Sequence, residues 1–294
     1  MQWGAGILCL NFTAYVRFGH FKRYQIVSGT FEFLKSLAVE PAVLVSVQSS
    51  RGSVPREVGA WMAVLAQRTL NTVGGGRLEL DAIAHARSML QSGVGEGVQR
   101  YALGPNLGQC CGGEVHLRFE LVAEKDQEAL AQRLHEPVVA VALFGGGHVG
   151  HALVQVLGNL PMVVTWIDSR DEIFPSRVPA NVQCEHSEPV QAAVATLQAG
   201  SRVLIMSFSH AEDLDIVAAC LARQRAKGDL PYVGLIGSKT KWASFQKRLQ
   251  AKGFSAVELA HITSPIGIPG IADKRPEVIA VAVAAQLLQL SPQF

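Results

Sequence analysis

The chain has 294 residues, 49% of them hydrophobic and only 17% charged, which fits two well-filled cores of ordinary domain size and excludes a disordered or fibrous polypeptide. A formal net charge of +2 makes no general case for nucleic acid or an anionic membrane surface, so any anion must be held by local backbone and a few cations. The five cysteines Cys9, Cys110, Cys111, Cys184 and Cys220, an odd number in a chain too large to need disulfide staples, point to free thiols and a cytoplasmic setting.

Residues 1–30 mix apolar, aromatic and basic side chains and read as an extension with no assigned role. Their apolar run Ile7-Leu8-Cys9-Leu10 is too short to span a bilayer, and no cation precedes it as a signal peptide would require. A small α+β domain is expected over 31–123. It opens with a helix at Phe31 to Leu37, followed by strands at Ala42 to Val47 and Ala60 to Leu65, a helix from Leu78 to Leu90, and strands at Val98 to Leu103 and Glu114 to Val122. The polar stretch 124–137 reads as the linker.

From 138 to 294 the pattern changes to strands alternating with helices. Buried strands are expected at Val138 to Phe144, Met162 to Ile167, Val203 to Met206 and Tyr232 to Ile236, with helices at Gly150 to Leu157, Leu214 to Ala226, Trp242 to Leu249 and on to Leu290. This alternation predicts a Rossmann-like, doubly wound parallel sheet. The fold class is therefore α/β, with a small N-terminal α+β domain.

Four loops carry chemistry. Gly104-Pro105-Asn106-Leu107-Gly108-Gln109-Cys110-Cys111-Gly112-Gly113 sets two adjacent thiols in a turn almost bare of other side chains. Adjacent cysteines close only a strained ring, and no second pair supplies zinc ligands. Thr72-Val73-Gly74-Gly75-Gly76-Arg77 is a glycine turn entering a helix, suited to an anion with Arg77 beside it. Ser53 and Arg56 add donors to such a rim. Gly145-Gly146-Gly147-His148-Val149-Gly150 fits G-x-G-x-x-G after a strand, with Asp168 ending the next strand where it could accept from a ribose hydroxyl.

On those residues alone the turn at Gly145, Gly147 and Gly150 admits an NAD(P) dinucleotide, a different ligand contacted by His148, or a scaffold that has lost its ligand. His210, Glu212, Asp213 and Asp215 sit where acids stabilise a helix start, and capping is preferred to a metal cluster. No Gly-x-Ser-x-Gly elbow supports a serine triad.

Taken in order, Gly52-Ser53-Val54-Pro55-Arg56, Gly59-Ala60-Trp61-Met62, Gly74-Gly75-Gly76-Arg77-Leu78-Glu79, Leu103-Gly104-Pro105 with Gln109-Cys110-Cys111-Gly112-Gly113, Phe144 to Gly150, Gly234-Leu235-Ile236-Gly237-Ser238-Lys239 and Ser264-Pro265-Ile266-Gly267 resemble the xanthine dehydrogenase accessory factor family (XdhC/CoxI). The resemblance implies a molybdenum cofactor chaperone of purine catabolism rather than an enzyme. Such a protein binds molybdopterin, holds it while a partner cysteine desulfurase supplies sulfide, and passes it to apo-xanthine dehydrogenase.

It also implies a homodimer and a cofactor site built from Gln109, Cys110, Cys111, Gly112, Gly113, the Gly74 to Arg77 turn, Ser53 and Arg56, with Cys110 or Cys111 as the contact to molybdenum. Soft sulfur suits that metal. The competing reading is an NAD(P)-dependent oxidoreductase using Gly145 to Gly150 and Asp168. One position departs from the family's Thr-His-x-His-x-x-Asp pattern: in Ser209-His210-Ala211-Glu212-Asp213-Leu214-Asp215, Glu212 replaces the second histidine.

Overall fold

The computed structural model describes residues 15–18, 22–25, 28–93, 96–103, 112–135 and 138–290. Within the extension, β1 (Tyr15–Phe18) and β2 (Lys22–Gln25) form a separate two-stranded sheet. The rest divides into one unit over Phe18–His135 and another containing Glu136–Phe294.

The first unit contains α1 (Ser28–Leu37), β3 (Ala42–Arg51), β4 (Trp61–Val64), β5 (Thr69–Asn71), α2 (Gly76–Ser92), β6 (Glu96–Ala102), β7 (Glu114–Val122) and α3 (Gln127–Arg133). Its sheet is antiparallel in the order β5-β4-β3-β7-β6. Val43, Val45, Val47 and Met62 pack with Leu78, Ala82 and Ala86 of α2 in one core. Strand alternation turns Trp61 to the opposite face, where its ring lies 5.3 Å from that of Phe33 on α1. Because both faces are covered, β3 begins as a continuous apolar run instead of an alternating one.

β5 is unexpected from sequence, being three residues long and without a buried side chain. The polar stretch after β7 also carries more structure than a connection needs. Leu130 and Ala131 of α3 are buried, and the Gln127 side chain donates to Leu34 O of α1 at 2.8 Å.

The second unit contains β8 (Val139–Phe144), α4 (His148–Leu157), β9 (Met162–Asp168), β10 (Val182–His186), β11 (Arg202–Ile205), α5 (His210–Lys227), β12 (Tyr232–Leu235), α6 (Lys239–Ala251), α7 (Ala256–Leu259), β13 (Ile262–Thr263) and α8 (Pro276–Gln289). All its strand pairs are parallel, in the order β10-β9-β8-β11-β12-β13. The chain thus starts centrally at β8, builds outward to β10, then returns to β11 on the other side. That reversal is the doubly wound order with its switch point between β8 and β11.

Two cores cover the sheet. One gathers Phe144, Ile205, Val217 and Phe245 under α5 and α6; the other gathers Leu143, Trp166, Leu153 and Val283 under α4 and α8. β10 escapes the sequence reading because it is a polar edge strand with only Val182 buried, and the connection after it is a 3-10 segment, Val190–Thr196. Arg202 ties β11 to the end of α8, donating to Leu287 O at 2.8 Å and Leu290 O at 2.7 Å. Among the described residues, no helix is long and apolar enough to cross a membrane.

Candidate functional site

In the first unit, β3, β6 and β5 end and β7 begins at one edge of the antiparallel sheet, so the loops singled out by sequence collect there. Gln109, Cys110 and Cys111 lie outside the described residues; the root of their loop does not. Leu103 N–H donates to Gly113 O at 2.8 Å, closing the loop where it leaves β6 and enters β7. A Cβ on Gly113 would stand 2.3 Å from Ser53 O and 2.7 Å from Arg51 O, so the bare backbone is what lets this root seat against the 51–53 loop. On the far side of that loop, Pro55 fills the space above Gly74, where a Cβ would meet it at 2.4 Å.

The Arg51–Arg56 loop is therefore packed between the cysteine-loop root and the glycine turn. A cleft of about 390 Å³ opens at the root, lined by Arg51, Gly52, Ala102, Leu103, Gly112, Gly113 and Glu114. Ser53 and Arg51 are exposed beside it. Arg56 reaches back to Thr72 O at 3.4 Å and pairs with Glu57 at 3.3 Å.

The glycine turn itself differs from expectation. Gly74, Gly75 and Gly76 have φ of 133°, 72° and 63°, a left-handed run that other residues rarely adopt, and it does aim backbone N–H groups at an anion. That anion is internal. Glu79, on the first turn of α2, accepts from the Thr72 hydroxyl, from Val73 N–H at 3.2 Å and from Gly75 N–H at 3.1 Å. Arg77 is paired with Asp81 at 2.9 Å on the exposed face of α2. Glu79 thus satisfies the Val73 and Gly75 N–H groups from within, and an external phosphate that used them would have to displace it.

The Rossmann turn follows the same logic. Gly145 has φ of 121° and a Cβ there would fall 2.0 Å from Met206 O, so the turn presses directly against the chain leaving β11. Gly150 packs on Gly145 O, which also accepts from the Trp166 indole at 3.0 Å. Gly147 faces open space and His148, the first residue of α4, is exposed.

Asp168 is 2% exposed and turned inward. Its carboxylate accepts from Gly146 N–H at 2.6 Å, Arg170 N–H at 2.9 Å, and Arg170 Nε and Nη2 at 2.9 and 3.0 Å. A carboxylate offers about four acceptor sites, so the expected bond to a ribose hydroxyl has no vacant place. Burial alone would raise this carboxyl's pKa; the bonds from Arg170 and Gly146 outweigh it and hold the group below the usual aspartate value.

Further along the same crest, Asp213 is buried and accepts from Ser207 N–H at 2.8 Å and from Lys241 Nζ at 2.6 Å, while Lys241 also reaches Ile236 O at 2.9 Å. Ser209 caps α5 by accepting from Glu212 N–H at 3.2 Å. The cap is thus Ser209 rather than one of the acids after β11; Asp213 braces the loop at Ser207, and the Glu212 carboxylate accepts from Ser169 Oγ at 2.7 Å. Arg170, Lys241 and the anchoring role of Glu79 were missed from sequence. The available signals were a basic residue two places after the strand-ending acid and a carboxylate one turn beyond the glycines.

Two outcomes follow. Glu79→Ala should lower stability to urea by about 2 kcal/mol, since partly buried donors lose a charged acceptor, with Glu79→Gln losing less; an unchanged midpoint contradicts the internal-anion assignment. Asp168, with its pKa depressed in the fold, adds stability above the unfolded value of about 3.9 and loses it as pH falls further. Acidification below about pH 4 should therefore destabilise the wild type more steeply than Asp168→Asn in parallel thermal melts.

Comparison with known proteins fits this architecture. The profile described as the XdhC Rossmann domain matches residues 141–287, and that of the XdhC and CoxI family matches residues 37–102. The uncharacterized protein YqeB of Escherichia coli strain K12 is 25% identical over 255 residues, covering 85% of this chain and 43% of that protein. The chain thus spans less than half the length of this curated relative. A crystal structure described as a xanthine dehydrogenase from Bacillus halodurans shares the fold, with a TM-score of 0.72 at 20% identity over 90% of this chain and 96% of that one. With both units matched in order, the chain belongs to the XdhC and CoxI family.

Proposed function

We propose that this protein is an accessory factor for xanthine dehydrogenase maturation that holds the molybdenum cofactor and hands it on. The observation that carries the reading is the convergence at one sheet edge of the 51–56 loop, the Gly74 turn and the root of the Cys110-Cys111 loop. The residues there suit the group. Gly112 leaves backbone exposed at the mouth of the cleft, Arg51 and Ser53 stand exposed beside it, and the sequence of the adjoining loop carries two soft sulfur donors of the kind such a metal accepts.

When bound, the cofactor would supply the dithiolene-held molybdenum centre that the recipient enzyme needs. The part assigned to this chain is to bind and shield. Cys110 and Cys111 would meet the metal side, Gln109 and Ser53 the pterin's polar edge, and Arg51 and Arg56 would offset the terminal phosphate. A cysteine desulfurase is the partner that supplies sulfide, apo-xanthine dehydrogenase the recipient, and a homodimer the working form. In the oxidoreductase alternative, Asp168 would have to bind ribose while already holding Gly146 and Arg170.

Purified from cells with an intact cofactor pathway, the wild-type chain should retain molybdopterin. A Cys110→Ala, Cys111→Ala variant should retain at least about tenfold less, equivalent to a lost contact of about 1.4 kcal/mol. Equal retention by both, or none by the wild type, contradicts the proposal.

A further inference from the structure

An edge strand presents a row of unpaired backbone groups that a further strand can complete. In the first unit one sheet edge is β5, three residues long, and the other is β6, seven residues long. β6 pairs with β7 from Glu96↔Glu120 to Ala102↔Glu114 without a bulge, and it contains no proline. Among the described residues no strand pairs with its other side. Leu103 N–H donates to Gly113 O. By the alternation of an antiparallel ladder, Tyr101, Gln99 and Gly97 therefore bond β7, while the backbone groups of Glu96, Val98, Arg100 and Ala102 point outward.

The side chains of Glu96, Val98, Arg100 and Ala102 share one face of the sheet, and Val98 is 51% exposed there. Glu96 stands directly opposite Glu120, a like-charge pair that costs stability across two strands. Arg118 bonds Glu96 on the diagonal and Arg100 bonds Glu114, which leaves the open side of both residues for a further counter-charge. A second copy of the chain supplies it. Laid antiparallel with the two-fold axis at Val98, that copy sets Val98 against the partner's Val98, Glu96 against the partner's Arg100, and Arg100 against the partner's Glu96. Gln99 then faces the partner's Gly97, a position where even an added Cβ would meet nothing.

Other registers fail on charge. An axis at Glu96 or Arg100 sets like charges against each other, and an axis at Gly97 or Gln99 leaves both charges facing uncharged residues. We propose that β6 is the dimer edge of this chain, and that two copies pair antiparallel about Val98 to join their five-stranded sheets into one. The interface is isologous, so every contact away from the axis occurs twice. β6 runs directly into Ala102 and Leu103 of the cleft, so the pairing steadies the strand from which the cysteine loop departs. Only that link to cofactor handling rests on the reading above; the pairing does not.

Sedimentation equilibrium of the full chain over a range of protein concentrations tests the inference. The wild type should dimerise. Val98→Pro removes an outward N–H and no bond to β7, and should raise the dimer dissociation constant at least about tenfold with the wild-type circular dichroism spectrum retained. Glu96→Arg and Arg100→Glu should each weaken the dimer by about as much, since each sets like charges against each other on both sides of the axis. An equimolar mixture of those two charge variants should dimerise as the wild type does, because every charge then faces its opposite; misfolded chains could not recover in this way. A wild type that stays monomeric, a dimer unchanged by all three substitutions, or a mixture no tighter than its components overturns the proposal. A monomeric wild type that retains molybdopterin sinks this inference alone, and an edge-paired dimer that retains none sinks only the cofactor-holding reading.

Discussion

Backbone N–H groups gathered at a glycine turn have no side chains to cover them and must find an acceptor. Proteins often leave that acceptor to a ligand, which is why such turns read as phosphate sites. In this chain each unit supplies its own. Glu79 reaches back from α2 into the Gly74–Gly76 turn, and Asp168 reaches across from β9 into the turn at Gly146. Both turns are thereby braced. The geometry of everything around them depends on these two carboxylates.

The consequences differ between the units. In the first, bracing the Gly74 turn holds Pro55 and the 51–56 loop in place, and that loop is the floor against which the cysteine-loop root is seated through Gly113. The exposed groups Arg51, Ser53 and Gly112 thus lie at the adjoining cleft, beside the braced turn. In the second, bracing the Rossmann turn fixes Arg170, and Arg170 in turn orders Phe208 over the crest. The Asp213–Lys241 pair, buried further along, secures the loops after β11 and β12. A fold built for dinucleotides has its strand-ending acid turned to scaffolding, and a fold alone does not fix the ligand.

Much of this was legible in the sequence. Regular helices and strands follow from apolar periodicity, and the switch from antiparallel to parallel architecture follows from the onset of strand–helix alternation after residue 138. What escaped has identifiable causes. β5 and β10 are short and polar because they lie at sheet edges and bury little. α3 looks like a linker because a single face, through Leu130 and Ala131, packs inward. The site loops were visible as glycine-rich stretches, and their clustering in the first unit follows from strand directions. The partners of Glu79 and Asp168 were not visible, because a motif shows which residues are present and not which way a carboxylate points.

The central claim is that Asp168 braces the Rossmann turn through Gly146 and Arg170 and is not free to accept from a ribose hydroxyl. Calorimetric titration of the wild-type chain with NAD and NADP tests it most directly. The account predicts no saturable binding below about 1 mM, that is, less than about 4 kcal/mol of favourable free energy. Saturable binding of either nucleotide near 1 µM, about 8 kcal/mol, would contradict it.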